Sequence, residues 1–128
     1  PLLDRIDMHV GVASVEYDDL AHKPMGERSE EIKKRVNAAR AIQVRRFAGS
    51  VTRCNAQMTA AETQKYCKLD DSCEKLVRGV FEKLKLTARG YDKILRIART
   101  IADLAGSENI APPHLAEAVQ YKSTFNRE

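Results

Sequence analysis

The chain has 128 residues, of which 43% are apolar, and it carries a formal net charge of +4. This length and composition fit one globular domain with a modest core. No apolar run approaches membrane-spanning length and no basic-then-apolar leader opens the chain, so we expect neither secretion nor membrane insertion. The chain opens on Pro1 rather than methionine, and we interpret it as a fragment of a longer protein.

Cysteine and histidine usage gives no indication of a metal site. The three cysteines are odd in number and form no C-x-x-C pair, and the three histidines lie in different segments. Neither a disulfide framework nor a standard zinc site is indicated. We therefore predict no bound metal and a reducing cytoplasm as the compartment.

Apolar residues alternate with polar or small ones near the start of the chain, around Met8, Val10, Val12 and Val15, and this periodicity predicts a strand over residues 6–15. Because a lone strand is not stable, we expect it to lie at the edge of a sheet supplied by an upstream part. Residues 16–26 then predict a loop.

The rest of the chain predicts about five helices. The first starts at a Ser29 cap and stops at Gly49, and a capping-box pattern opens a short second helix through Tyr66. A third is capped by Asp70 or Asp71, and the last begins at prolines 112–113. On the first of these helices, the residues expected to face the core are Ile32, Val36, Ala39 and Ile42.

The longest predicted helix carries two distinct faces. Thr87 caps it and Gly106 ends it. Its apolar stripe, interpreted as core, comprises Tyr91, Ile94, Leu95, Ala98, Ile101, Ala102 and Ala105. The opposite face carries Arg89, Lys93, Arg96 and, a little to one side, Arg99.

Excess positive charge is confined to residues 27–47, which hold seven basic residues against three acidic ones. Such a helix could make salt-dependent contacts with nucleic-acid phosphates. No aromatic residues that could stack on bases are interleaved with the basic ones, and Phe47 is interpreted as core. From the residues alone, an ordinary solvent-exposed helix face is therefore favoured over a nucleic-acid-binding one. The basic residues considered for this contact are Lys33, Lys34, Arg35, Arg40, Arg45 and Arg46.

Two arginines stand out as candidate anion-binding residues. Arg89 follows the Thr87 cap by two residues, so its guanidinium projects from a helix N-terminus that already favours an anion. From position alone, a solvated arginine or a surface ion pair is favoured over phosphate binding. Arg5 could act as an arginine finger, and the alternative is local pairing with Asp4 or Asp7.

Four segments, taken in order, resemble the C-terminal part of the Mg-chelatase-like AAA+ ATPases, and in particular the competence-type (ComM-like) members. They are L-L-D-R-I-D at residues 2–7, V-N-A-A-R-A-I-Q-V-R-R-F at 36–47, N-A-Q-M at 55–58, and residues 86–104. The resemblance covers essentially the whole chain. It implies an all-α fold, a helical bundle lid subdomain preceded by a short N-terminal extended segment.

The resemblance also assigns domains and residue roles. Residues 1–26 correspond to the edge of the AAA+ large subdomain and a linker, and residues 27–128 to the helical lid. Arg5 matches the family's arginine finger, which completes the ATP site of a neighbouring subunit in trans, and Arg89 matches the sensor-2 arginine, which contacts ATP phosphates in cis. The chain contains no G-x-x-x-x-G-K-[ST] loop and no Walker-B acidic strand, so alone it should not hydrolyse ATP.

The implied cofactors are ATP and Mg²⁺ in the intact protein, with none bound by the fragment alone. The implied partners are the upstream large subdomain, further copies of the protein in a hexameric ring, and DNA. Two alternatives stay open. One is the motor subunit of a true magnesium chelatase, and the other is an ATP-independent basic helical module that binds nucleic acid.

Overall fold

The computed structural model describes residues 5–22 and 26–123, and within these ranges it contains six α-helices and no strand. This confirms the all-α fold class. The helices are α1 (Tyr17–His22), α2 (Ser29–Arg46), α3 (Ala60–Tyr66), α4 (Asp71–Leu84), α5 (Ala88–Leu104) and α6 (Pro112–Ser123), with a 3-10 turn at Asn55–Gln57. None of these helices is long and apolar enough to cross a membrane.

Helix α5 is the centre of the bundle. It packs most extensively against α6, and it also contacts α2, α3 and the 3-10 turn, while α4 packs against α6. Four positions of the apolar stripe predicted for α5 are confirmed as core, because Ile94, Leu95, Ala98 and Ala102 are buried. Tyr91 and Ile101 are half-buried, whereas Ala105 is exposed and follows the last helical residue, so its prediction as core was wrong. The remaining buried apolar residues of this core are Phe47, Met58, Cys67, Cys73, Val77, Ile110, Leu115 and Ala118.

Three predicted helix starts are confirmed by their hydrogen bonds. Thr59 and Glu62 form a reciprocal capping box at α3. The Asp70 carboxylate accepts from the backbone N–H of Cys73 at α4, and the Thr87 hydroxyl accepts from the Gly90 N–H at α5. Each such cap stabilises its helix by about 1 kcal/mol.

The start of α2 was predicted wrongly. Ser29 is the first helical residue, and Arg28 occupies the N-cap position without a side-chain cap hydrogen bond. The predicted core positions Ile32 and Val36 are 42% and 44% exposed. Only the second half of α2 packs against the bundle, through Ala39 and its neighbours. In the first half, the apolar residues at helical spacing form a face that no described residue covers.

The N-terminal segment differs from its predicted form in two ways. Residues 6–16 have no regular secondary structure, so a strand is not formed there, and its pairing with an upstream sheet stays a prediction. The loop predicted for residues 16–26 contains helix α1. Val12 is 87% exposed, whereas His9 is buried, so only the first part of this segment lies against the bundle.

Candidate functional site

A buried charged centre joins α2, α5 and the 3-10 turn. The side chain of Asp103 is fully inaccessible to solvent and accepts two hydrogen bonds from Arg46, at 2.8 and 2.7 Å. Arg99 lies 3.1 Å from the same carboxylate, and Asn55 donates to it at 2.9 Å. We refer to Arg46, Asn55, Arg99 and Asp103 as the Asp103 centre.

The geometry keeps the Asp103 carboxylate ionised. Burial by itself would raise its pKa, but hydrogen bonds from Arg46 and Asn55 and the charges of the two arginines hold that pKa below its ordinary value of 3.8. Burial lowers the pKa of Arg99, and the hydrogen bond to Asp103 raises the pKa of Arg46, yet both guanidinium groups stay protonated at neutral pH. The centre therefore holds two cations and one anion inside the fold.

Both arginines of this centre have further structural partners. Arg99 is 4% exposed and donates to the backbone carbonyls of Ser107 and Glu108 at 2.9 and 3.0 Å, which fixes the turn after α5. The guanidinium of Arg46 lies 5.8 Å from the centre of the Tyr66 ring, within cation–π range. Arg99 is thus unavailable to phosphate, which corrects its placement on the exposed face of α5.

The same contacts correct the predicted basic face of α2. Arg46 is part of the buried centre, Arg35 is hydrogen-bonded to Glu27, and Lys34 pairs with Glu31. Three of its cations have no hydrogen bond or ion pair within the part of the chain that the structure describes, namely Lys33, Arg40 and Arg45. Phe47 is 4% exposed, which confirms its interpretation as core.

A cavity of about 810 Å³ lies along the exposed face of α5, between that helix, the N-terminal segment and α6. Both Arg5 and Arg89 line it. Apolar side chains also line it, from Met8 and from residues 97, 101 and 104 of α5. The lining thus combines cationic and apolar side chains.

The charged residues around the cavity divide into paired and unpaired ones. Lys93 contacts Asp7 at 2.6 Å, and Arg96 contacts Asp92 at 2.8 Å. A third carboxylate, Glu117, accepts a hydrogen bond from the Tyr121 hydroxyl at 3.1 Å.

Arg5 and Arg89 are the two cavity cations without a hydrogen bond or ion pair to any described residue, and both are exposed. The alternative of an Arg5–Asp7 pair is not formed, since Asp7 contacts Lys93. The alternative partner, Asp4, lies outside the described residues. Two unpaired guanidinium groups at one cavity suit an anion with several oxygens, such as a phosphate chain.

Arg96 closes one wall of the cavity in a fixed position. Its guanidinium donates to the carbonyl of Ala56 at 2.5 Å, and Asp92 holds it from the other side. The turn that presents Ala56 is held by Asn55, whose backbone N–H donates to the Gln43 side chain at 2.9 Å. The Asp103 centre and the cavity are therefore connected through this turn.

Sequence reasoning missed the roles of Asn55, Gln43 and Asp103. Asn55 and Gln43 both lie in segments that carry the family resemblance, and Asp103 stands four residues after Arg99, a spacing that permits an ion pair on one helix face. These signals could have indicated a buried polar network. Within the described ranges, no group of three or more His, Cys, Asp or Glu residues could hold a metal ion.

The all-helical bundle built around α5 matches the fold of the helical lid domain of Mg-chelatase-like AAA+ proteins. A family model described as the C-terminal part of magnesium chelatase subunit ChlI matches residues 26–122, and the chain belongs to this family.

Several curated proteins are similar to the chain over nearly its whole length. Competence protein ComM of Haemophilus influenzae is 37% identical over 124 residues, which is 96% of this chain and 24% of that protein. The YifB protein of Salmonella typhimurium is 36% identical over 124 residues, which is again 96% of this chain and 24% of that protein. An uncharacterized protein of Mycobacterium bovis is 27% identical over 99% of the chain and 25% of its own length. The chain thus spans about a quarter of the length of these relatives.

Proposed function

We propose that this chain is the C-terminal lid of a ring-forming Mg-chelatase-like AAA+ ATPase, in which it senses bound ATP and couples hydrolysis to motion of the ring. The observation that carries the proposal is the pair of exposed, unpartnered arginines at one cavity, Arg5 and Arg89. Family membership supports the use of ATP and Mg²⁺ by the intact protein.

The cavity residues fit a phosphate chain. Arg89 lies in the first turn of α5, where backbone N–H groups and the helix dipole add to the attraction for an anion. The carboxylates that line the cavity are engaged by Lys93, Arg96 and Tyr121, so they are not arranged as ligands for Mg²⁺. The catalytic metal and the Walker motifs would therefore belong to another part of the protein.

In the proposed mechanism, Arg89 is the sensor-2 residue that contacts ATP phosphates, and Arg5 is the arginine finger. Each guanidinium stabilises negative charge on phosphate oxygens, which is worth about 10³–10⁵ in turnover for an arginine finger. The sequence analysis assigned Arg89 to the ATP of its own subunit and Arg5 to the ATP of a neighbour.

The shared cavity favours a variant of this division. Because Arg5 and Arg89 line the same cavity, a phosphate chain bound there would be attracted by both guanidinium groups. A subunit would then contribute both arginines to one nucleotide. Mixing Arg5→Ala subunits, and separately Arg89→Ala subunits, with subunits that cannot bind ATP separates the two arrangements. The first arrangement predicts that the ATP-binding-deficient copy rescues Arg5→Ala but not Arg89→Ala, whereas the shared cavity predicts the same outcome for both variants.

The decisive experiment is steady-state ATP hydrolysis by the full-length protein, with Arg5→Ala and Arg89→Ala compared with wild type and with ATP binding measured separately. We expect turnover to fall by roughly 10³-fold or more for Arg5→Ala, and a marked loss for Arg89→Ala, with folding retained. Arg78→Ala is the matched control, because Arg78 is an exposed arginine on α4 outside the cavity. Wild-type turnover in both cavity variants would overturn the proposal.

We also propose that the intact protein remodels DNA as a homo-oligomeric ring of six subunits. Similarity to a competence protein supports this reading. The unpaired cations on α2, Lys33, Arg40 and Arg45, are the residues to neutralise in a DNA-binding assay. Undiminished, salt-sensitive binding by the triple variant would remove α2 as the contact, and tight ATP-independent binding by this chain alone would favour the basic-module alternative.

A further inference from the structure

Three contacts between residues that the structure describes hold the segment that carries Arg5 on the bundle. Lys122 on α6 donates through Nζ to the carbonyl of Ile6 at 3.1 Å. Lys93 on α5 contacts the Asp7 carboxylate at 2.6 Å. The backbone N–H of His9 donates to the carbonyl of Tyr121 at 2.7 Å.

These contacts are confined to residues 6–9. Beyond them, Val10 is 65% exposed and Val12 is 87% exposed, so the chain leaves the bundle surface directly after His9. His9 itself is 5% exposed, and Lys122 is 8% exposed. The docking is therefore local, with an ionic or backbone contact at residues 6, 7 and 9.

The position of the fastening residues has a geometric consequence. Lys93 stands four residues after Arg89, so the helix that carries Arg89 also holds Asp7, two residues after Arg5. Consecutive Cα atoms are about 3.8 Å apart, so fixing Ile6 and Asp7 leaves the Arg5 backbone little freedom. Arg5 and Arg89 are thereby held over one cavity by the same structural unit.

We infer that Lys93 and Lys122 are positioning residues, which clamp residues 6–9 onto α5 and α6 so that Arg5 and Arg89 form one preassembled pair for a phosphate chain. This inference rests on the proposed function. Preassembly matters because a charged side chain that is already in place loses less freedom when it binds an anion. In a moving ring, the two arginines would travel together with the lid instead of separating as it opens.

The clamp is tested first on the chain itself, by amide hydrogen exchange of His9. Asp7→Lys and Lys93→Asp each place like charges at the Asp7–Lys93 contact, and we expect His9 exchange to accelerate by about threefold to fivefold, as for a partly exposed ion pair. The double variant, with the charges exchanged, should restore protection. Glu82→Lys makes the same charge change at an exposed site on α4 outside the cavity and should leave His9 exchange unchanged.

Lys122→Met removes the hydrogen bond to Ile6 and should accelerate His9 exchange by about tenfold or more, because the lost donor is charged. Exchange of the buried α5 amides reports whether this variant still folds. If neither Asp7→Lys nor Lys122→Met changes His9 protection in a folded chain, the clamp does not exist and the inference is wrong.

ATP hydrolysis by the full-length protein then tests the consequence. We expect Asp7→Lys to lower turnover in the direction of Arg5→Ala, and the charge-exchanged double variant to recover most of it. If Arg5→Ala abolishes turnover while Asp7→Lys and Lys122→Met do not alter it, the positioning role fails and the proposed function stands. If the clamp behaves as expected in exchange but Arg5→Ala has no effect on turnover, the proposed function fails.

Discussion

Arginines occur in two contrasting settings in this domain. In the Asp103 centre, Arg46 and Arg99 are withdrawn from solvent and share one carboxylate. At the cavity along α5, Arg5 and Arg89 are exposed and contact no described hydrogen-bonding or ionic partner. Each setting contains two guanidinium groups, but only in the Asp103 centre does the protein supply the anion that both of them contact.

The difference indicates what each pair contributes. A buried guanidinium is costly unless its charge is paired within the protein, so the shared Asp103 carboxylate holds α2, the 3-10 turn and α5 in one arrangement. An exposed, unpaired guanidinium contributes little to folding and stays available to an anion from outside. If this interpretation is right, substitutions at the Asp103 centre affect stability and substitutions at the cavity affect function.

The largest expected effect on stability is that of Asp103→Asn. This change keeps the shape of the side chain but leaves Arg46 and Arg99 without their anion, and we expect a loss of about 3–5 kcal/mol in the free energy of unfolding. Urea denaturation of the chain measures it. Asp92→Asn is the matched control, since it breaks a partly exposed ion pair on the same helix and should cost less than about 1 kcal/mol. Equal losses in the two variants would contradict the distinction.

A second, smaller loss is expected for Asn55→Ala. The Asn55 side chain donates to Asp103 and to Thr100 and accepts from Arg46, all at 2.9–3.0 Å. Its removal leaves the ion pair but strips buried hydrogen bonds, so we expect about 1–3 kcal/mol of destabilisation. An effect below about 0.5 kcal/mol in urea denaturation would mean that the turn does not depend on this network.

The pH dependence of stability should separate wild type from Asp103→Asn in a defined range. The pKa of Asp103 is lowered in the folded state from its ordinary value of 3.8, so its stabilising effect is fully present above that value and is lost as pH falls further through the folded-state pKa. The difference in unfolding free energy between the two proteins should stay constant from about pH 7 to pH 5 and shrink below about pH 4. A difference that grew on acidification would contradict the sign of this shift.

The smallest expected effect on stability is that of Arg89→Ala. Because the exposed side chain contacts no described hydrogen-bonding or ionic partner, we expect a change within about 0.5 kcal/mol by urea denaturation. Arg99→Ala serves as the opposite case on the same helix. It should destabilise strongly, because Asp103 loses one of its two cationic partners and the carbonyls of residues 107 and 108 lose their donor. A large loss for Arg89→Ala would show that it belongs to the structural group.

Several features could be predicted from local sequence because their physics is local. The caps at Thr59, Asp70 and Thr87 depend on a hydrogen bond between residues three apart, and each is present in the structure. The apolar stripe of α5 follows from helical spacing alone. The exposed first half of α2 could not be predicted in this way, because spacing identifies an apolar face but not whether another element covers it.

The sequence by itself determined the helical class, the helix starts at short-range caps, the core face of α5 and, through its resemblance to a family, the two arginines of interest. Only the tertiary structure decided which arginines form buried ion pairs and which line a cavity. This depends on contacts such as Arg46–Asp103, which join residues 57 positions apart. It also decided that residues 6–9 lie on α5 and α6, through a contact between residues 6 and 122. Periodicity and spacing describe neighbours along a helix, whereas the pairing of charges depends on which helices meet.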